Sequence, residues 1–285
     1  MSVAPVRPDV SVIVSAYQSP EALRLVVRGL CRQTVLPREV LVADDGSAPP
    51  LDAALRGACA GAPFEVFHLW QPDEGFRAAR SRNNAIHRAR GDLLACLDQD
   101  TVPHADWLET HLRYAGPRRA CLARIFPLSQ AESERMTSAT VDSGEFEAWR
   151  DPRAWKKLKG QQLKYSGYAL MRRLRLPFKP TRPSLSSGNI CVWRADLLAV
   201  NGFDEAYVGW GQEDDDLGRR LYMAGVRPVP LLTRAFVTHI WHPPRHEGWR
   251  EGPNLARYRL RLKSPRCDQG LSAHPHPDVV VTRVA

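Results

Sequence analysis

The chain has 285 residues, 44% of them hydrophobic and 25% charged, and its formal net charge is +9. That length supports one large α/β domain or two small ones with a full core, and the composition is ordinary for a globular protein. No run approaches the ~18 apolar residues of a membrane span, and the proline-bearing start lacks a signal-peptide core, so a cytoplasmic protein is expected.

Residues 1–8 read as an extension. Val10-Ser11-Val12-Ile13-Val14 is a β-branched run, long enough for a buried strand and too short for a helix. Ser19-Pro20-Glu21 supplies an N-cap, a first-turn proline and an early acid, and Leu23, Val26, Val27 and Leu30 follow at helical spacing. A second strand over residues 39–43 runs into Asp44-Asp45-Gly46-Ser47, where Asp-Gly predicts a turn. Residues 64–69 predict a third strand. A helix over 78–90 is stopped by Gly91, and a fourth strand over 93–97 ends at Asp98-Gln99-Asp100, with Thr101-Val102-Pro103 turning the chain away. In such open sheets ligands bind beyond the carboxyl ends of the strands, where Asp45, Asp98 and Asp100 fall.

The middle, residues 131–186, is basic, helical in places and broken by Pro177, Pro180 and Pro183, which predicts helices and loops covering the site. Between Pro152 and Arg182 it carries ten lysines or arginines and no acid. Such a run reads as a solvated face, a nucleic-acid patch or a surface for anionic lipid, and interleaved Trp155, Leu163 and Leu170 suit a membrane edge. Structure resumes at Gly188-Asn189-Ile190-Cys191-Val192-Trp193, followed by a helix and a Gly202-Phe203-Asp204 turn. A further helix runs to about residue 224, and a strand is predicted at 236–239. Residues 269–285, with Pro275 and Pro277, read as a tail. The six cysteines form no CxxC pair, which predicts reduced core thiols.

Carboxylates at i and i+2 after a strand can hold Mg2+ or Mn2+ on oxygen. Haloacid-dehalogenase-like phosphatases share that pattern, but on the first strand of their core, whereas here an earlier α/β unit precedes it. In the second acidic cluster, glycines flank Trp210 and let the indole present a flat surface to a sugar ring. Glu213-Asp214-Asp215-Asp216 then opens a helix, where Asp215 or Asp216 would cap and another acid would serve as general base. His239, His242 and His246 lie near a strand end, and imidazole with carboxylate favours Mn2+ over Mg2+. Arg82-Asn83 near a helix start would face a diphosphate.

In this order, Val12-Ile13-Val14-Ser15-Ala16-Tyr17, Gln33-Thr34, Glu39 to Ser47, Ala79 to Asn83 and Leu97 to Asp100 resemble the family-2 glycosyltransferases of GT-A fold. Ser187-Gly188-Asn189, Gly202 to Glu205, Gly209 to Asp214 and His239 resemble a galactosyltransferase-type C-terminal region. The resemblance implies an α/β GT-A fold with a mixed central sheet. A Rossmann-like nucleotide-binding half (9–130) would be fused through 131–186 to an acceptor-binding half (187–268).

The resemblance also implies roles. Ser15 (where the family's proline usually stands), Ala16, Tyr17, Arg82, Asn83, Asp98, Gln99 and Trp210 would form the nucleotide-sugar site, and Asp45 would accept a hydrogen bond from uracil. Asp98 would contact ribose or a metal-bound water, and Asp100 would ligate Mn2+ (or Mg2+) with His239, His242 serving as the fallback. Asp214 would be the base and Glu213 would hold an acceptor hydroxyl. Gln212 stands where the family often has glycine. The expected enzyme is an inverting transferase moving a hexose or N-acetylhexosamine from a UDP-sugar to a glycan or lipid-linked glycan in surface polysaccharide synthesis. An anionic membrane surface is an expected partner and nucleic acid is not. Two rivals remain at this point: a polyanion- or membrane-binding protein on an inactive GT-A fold, and a metal-dependent phosphatase.

Overall fold

The computed structural model describes residues 7–176, 183–243 and 253–285. Pro177, Pro180, His246 and most of the 1–8 extension lie outside them. Eleven strands occur among the described residues: β1 Val10–Ala16, β2 Glu39–Asp44, β3 Glu65–Trp70, β4 Leu93–Asp98, β5 Thr101–Pro103, β6 Arg119–Leu122, β7 Ile125–Pro127, β8 Asn189–Trp193, β9 Arg227–Pro230, β10 Val237–His239 and β11 Val280–Arg283. Eight form a central sheet in the order β11-β3-β2-β1-β4-β8-β6-β9, and β5, β10 and β7 form a second, small sheet.

β1 to β4 are parallel, while β8 runs antiparallel to both β4 and β6, so the central sheet is mixed. Successive side chains of a strand point to opposite faces, and here both faces are covered. Val12, Val14, Val40 and Val42 pack under the helix Pro20–Cys31 through Leu23, Val26, Val27 and Leu30. Ile13, Leu41 and Leu94 pack with Ala79, Ala85 and Ile86 of the opposite helix, Ala78–Arg88. Ser19 stands at the first helix's N-cap, but its side chain makes no capping bond. All six cysteines are free, and all but Cys31 are buried.

The basic middle contains the helices Ser138–Ser143 and Pro152–Arg173, the latter started by Asp151, whose carboxylate accepts from Ala154 N. Two expectations are corrected. Thr101–Pro103 is the strand β5, not a turn, because β10 offers it an antiparallel partner. Residues 269–285 are no tail: β11 closes the sheet edge antiparallel to β3, where an open strand needs partners and β-branched Val280 and Val281 suit the role. Ahead of it, His274 Nε2 and His276 Nε2 lie 2.6 and 3.3 Å from the Glu205 carboxylate, which also accepts from Asn83 Nδ2 at 2.7 Å.

Candidate active site

Strand register builds the site rim. Ser15 lies opposite Asp98, and Ala16 opposite Asp44, so β1, β2 and β4 end together. β8 brings Asn189 opposite Leu97, which lays Gly188 against Asp98. A Cβ on Gly188 would overlap Asp98 Oδ2, so only glycine fits there without displacement.

At the first end of this rim, Asp45 is buried and accepts from Arg77 N at 2.8 Å and Gln71 Nε2 at 2.6 Å. Burial pushes its carboxyl up to about 6 against those two bonds. Asp44 is instead spent on the fold, bound to His68 Nε2 and Ser47 N. The Tyr17 ring is partly exposed, with its hydroxyl donating to Asp73 at 3.1 Å. Gln99 does not face outward: Tyr17 N donates to its Oε1 and its Nε2 donates to Tyr17 O, both at 2.8 Å. It fixes the end of β1.

Arg82 is the centre of the rim. Its buried guanidinium donates to Ser15 Oγ at 2.9 Å, Glu213 Oε1 at 3.2 Å and Asp98 Oδ1 at 3.3 Å, with Asp214 Oδ1 at 3.6 Å. Burial alone would lower its pKa, but Asp214, Asp98 and Glu213 outweigh that and hold it raised. Burial, with Asp214 adding, pushes Glu213 up to about 7 against Arg82. Burial pushes Asp98 up to about 6, with Arg82 opposing and the charges of Asp100 and Asp214 adding. Sequence reasoning pointed Arg82 at a diphosphate; here it already binds three acids. Its neighbour Asn83 is buried, with its amide spent on Phe203 N, Phe203 O and Glu205, so it holds the Gly202 turn rather than the rim.

The four adjacent acids separate by partner. Glu213 and Asp214 face Arg82, and Asp214 Oδ2 accepts from Ser187 N at 3.0 Å. Asp215 accepts from Tyr258 Oη, and Asp216 forms a buried pair with Arg220 at 2.6 Å. Neither caps the helix Glu213–Met223; its N-cap is Gln212, with no side-chain bond. Gln212 adopts φ 77, between Gly211 at φ 98 and the helix, and Gly209 has φ 81. This left-handed path presents Trp210 with 45% of its surface exposed.

The short sheet assembles the metal candidates. β10 places His239 opposite Thr101, and Ile240 N donates to Asp100 O at 2.9 Å. Asp100 Oδ1 then lies 3.6 Å from His239 Nε2, and Oδ2 lies 3.4 Å from His242 Nε2. Two ligands ~2.1 Å from one ion sit roughly 3.0–3.5 Å apart, so this trio fits a cation with little contraction. The 2.6 Å contact of His274 with Glu205 is a hydrogen bond by the same measure. His242 Nδ1 lies 2.9 Å from Pro243 O and donates to it, which leaves Nε2 with a free lone pair. Burial lowers the His239 pKa, Asp100 opposing and His242 adding, which favours the neutral, ligating imidazole. Both histidines, primary and fallback, therefore meet the same carboxylate.

Sequence reasoning missed Gln71, Asp73 and Arg77 around Asp45 and Tyr17, and the Ser187 N–H on Asp214. Only the Asp216–Arg220 pair carried a local signal, its i,i+4 spacing.

Two family models match the chain: Glycosyl transferase family 2 over residues 11–174, and N-terminal domain of galactosyltransferase over residues 175–243. Validoxylamine A glucosyltransferase of Streptomyces hygroscopicus subsp. limoneus is 26% identical over 278 residues, 94% of this chain and 57% of that protein. Chondroitin synthase of Escherichia coli is 24% identical, covering 75% of this chain and 32% of the relative. Hyaluronan synthase of Pasteurella multocida is 26% identical, covering 75% and 23%. The chain thus spans little more than half of the first relative and a third or less of the others. Among solved structures, a mannosyltransferase from Pyrobaculum calidifontis in complex with GDP-Man and Mn2+ is similar, with a TM-score of 0.55 and 18% identity, covering 85% of this chain and 59% of that one. S. aureus TarS gives 0.53 at 18% identity, covering 82% and 37%. These likenesses show the fold, which is GT-A.

Proposed function

The chain belongs to glycosyl transferase family 2, and on that footing we propose that it moves a hexose or N-acetylhexosamine from a UDP-sugar to a glycan or lipid-linked glycan hydroxyl, with inversion. The observation that carries this reading is the Asp100/His239/His242 trio beside Asp98, whose carboxylate feels the Asp100 charge and is linked through Arg82 to Glu213 and Asp214. Asp100, His239 and His242 would hold Mn2+ or Mg2+, with Asp98 beside them, and a bound cation supplies Lewis-acid stabilisation of a leaving diphosphate.

Asp45 and Tyr17 receive the uracil end. Trp210 walls the sugar. Glu213 orients the acceptor hydroxyl, and Asp214 removes its proton as the oxygen attacks the anomeric carbon. Support for that assignment lies in the Asp214 carboxylate itself: Ser187 N–H holds Oδ2, while Oδ1 accepts no hydrogen bond among the described residues and meets the Arg82 guanidinium at 3.6 Å, an ion pair that keeps the carboxylate in place. On this reading the protein works in the cytoplasm, at the inner face of the plasma membrane, in surface polysaccharide synthesis, as the names of the two synthase relatives suggest.

The test is a metal-supplemented screen for donor hydrolysis and transfer across UDP- and GDP-sugars, since the mannosyltransferase neighbour holds GDP-Man. Asp214→Asn is expected to abolish transfer and leave nucleotide-diphosphate binding nearly intact. Full activity in that variant removes Asp214 from the mechanism. Phosphate release from phosphoesters without sugar transfer would favour the phosphatase reading. Salt-dependent polyanion binding with neither transfer nor metal dependence would favour the binding protein.

A further inference from the structure

The helix Pro152–Arg173 has two unlike faces. Its inner face is half-buried: the Trp155 ring lies 5.5 Å from that of Phe236, and Gln162 both donates to Pro230 O at 3.1 Å and accepts from Leu232 N at 2.8 Å. Leu158 and Tyr165 share that side. The outer face carries Leu163, Leu170 and Leu174, which are 75%, 55% and 59% exposed. Steps of seven and four residues at ~100° each bring these three leucines within about 40° of one another. Lys156 and Lys159 lie in the same strip. Lys157 and Lys164 flank it on one side and Arg173 on the other, all exposed. The helix carries seven cations and no acid.

From this arrangement the geometry points to a docking face for an anionic phospholipid surface, with the leucines entering the headgroup–acyl boundary and the cations meeting lipid phosphates. The two features select the occupant together. Leucines aligned in water gain nothing from a nucleic-acid backbone but gain burial at a bilayer edge, and cations add attraction only where the surface is negative. A second copy is disfavoured because the five cations in and beside the strip would face five others. No helix among the described residues is long and apolar enough to cross a membrane, so the attachment is peripheral. The assignment sorts the basic run by side: Trp155 and Tyr165 serve the fold, whereas Leu163, Leu170 and Leu174 serve the surface. It does not rest on the sugar-transfer reading, and donor hydrolysis without vesicles tests that reading separately.

The experiment is co-sedimentation of the full chain with vesicles of phosphatidylcholine alone or containing about one third phosphatidylglycerol. Binding is expected only to the anionic vesicles, weakening with salt. Leu163→Ser/Leu170→Ser/Leu174→Ser and, separately, Lys156→Glu/Lys164→Glu are each expected to lower partitioning about tenfold or more. Both sets change exposed side chains, so unfolding midpoints and the elution volume of the wild type are expected to be kept. Equal binding to neutral vesicles overturns the proposal. So does full anionic binding by the leucine variant, which leaves a charge-only polyanion patch that nucleic acid would fill equally well. A wild-type dimer that the leucine variant converts to monomer also overturns it, since the strip is then an interface between copies.

Discussion

Arg82→Met removes the central cation of the rim and keeps most of the side chain's apolar bulk. Breaking a buried ion pair from one side costs about 3–5 kcal/mol, because the remaining charge stays desolvated. Here Glu213 at 3.2 Å loses its cation while almost fully buried; Asp98 at 3.3 Å keeps 34% of its side chain exposed, so solvent screens its share. The stranded carboxyls have one escape, which is to bind protons. Glu213 is already up to about 7 and Asp98 to about 6 with Arg82 holding both down, so without the guanidinium both rise further. A carboxyl raised in the folded state contributes stability that is full below its unfolded pKa and is lost as pH rises through the folded one. The variant moves that loss to higher pH, and above neutrality each proton held by the fold alone costs ~1.4 kcal/mol per pH unit. Near pH 5, where both groups are largely protonated with or without Arg82, the variant should lose little; near pH 8.5 it should lose several kcal/mol. Urea unfolding of both proteins at about pH 5, 7 and 8.5 reads this directly. An equal loss at all three would refute the charge argument and leave only lost packing.

Two further outcomes follow from the backbone. Gly188→Ala drives a methyl into Asp98 Oδ2 and Ile125, so unfolding should be easier by about 1–3 kcal/mol and divalent-metal affinity weaker; calorimetry of both quantities checks it. Gln212→Gly relieves a left-handed residue that costs roughly 1 kcal/mol or more, so it should match or exceed wild-type stability while Gln212→Ala does not. If glycine and alanine destabilise alike in urea titrations, the amide side chain rather than the backbone matters at this position.

The parallel half was legible because its signals are local. The Val10 to Val14 run, the Asp-Gly turn and the apolar run into Asp98 each announce a strand or its end within a few residues. β6, β7 and β9 left no such trace: each is three or four residues long, and β7 and β9 contain proline, so pairing with neighbours rather than propensity makes them strands. The site was legible in its residue types and much less in its wiring. Arg82 reads as an anion binder in either case. Only the fold reveals that its anions are Asp98 close by and Glu213 and Asp214 from a distant helix. Resemblance and position tell the four acids apart, but their partners Tyr258, Arg82 and Ser187 leave no mark in the sequence.

The pairing of β5 with β10 also sets an order of events during synthesis. Asp45, Tyr17, Gln99 and Arg82 all belong to the first hundred residues, whereas His239 reaches Asp100 from ~140 residues further along. At ribosomal speeds that gap lasts on the order of ten seconds, in which a nascent chain has Asp100 but neither imidazole of the trio. On the proposed function, divalent-ion affinity would therefore be a clock for completion: a fragment that ends before β10 would lack the residues to hold the ion, and would gain them only once β10 is made.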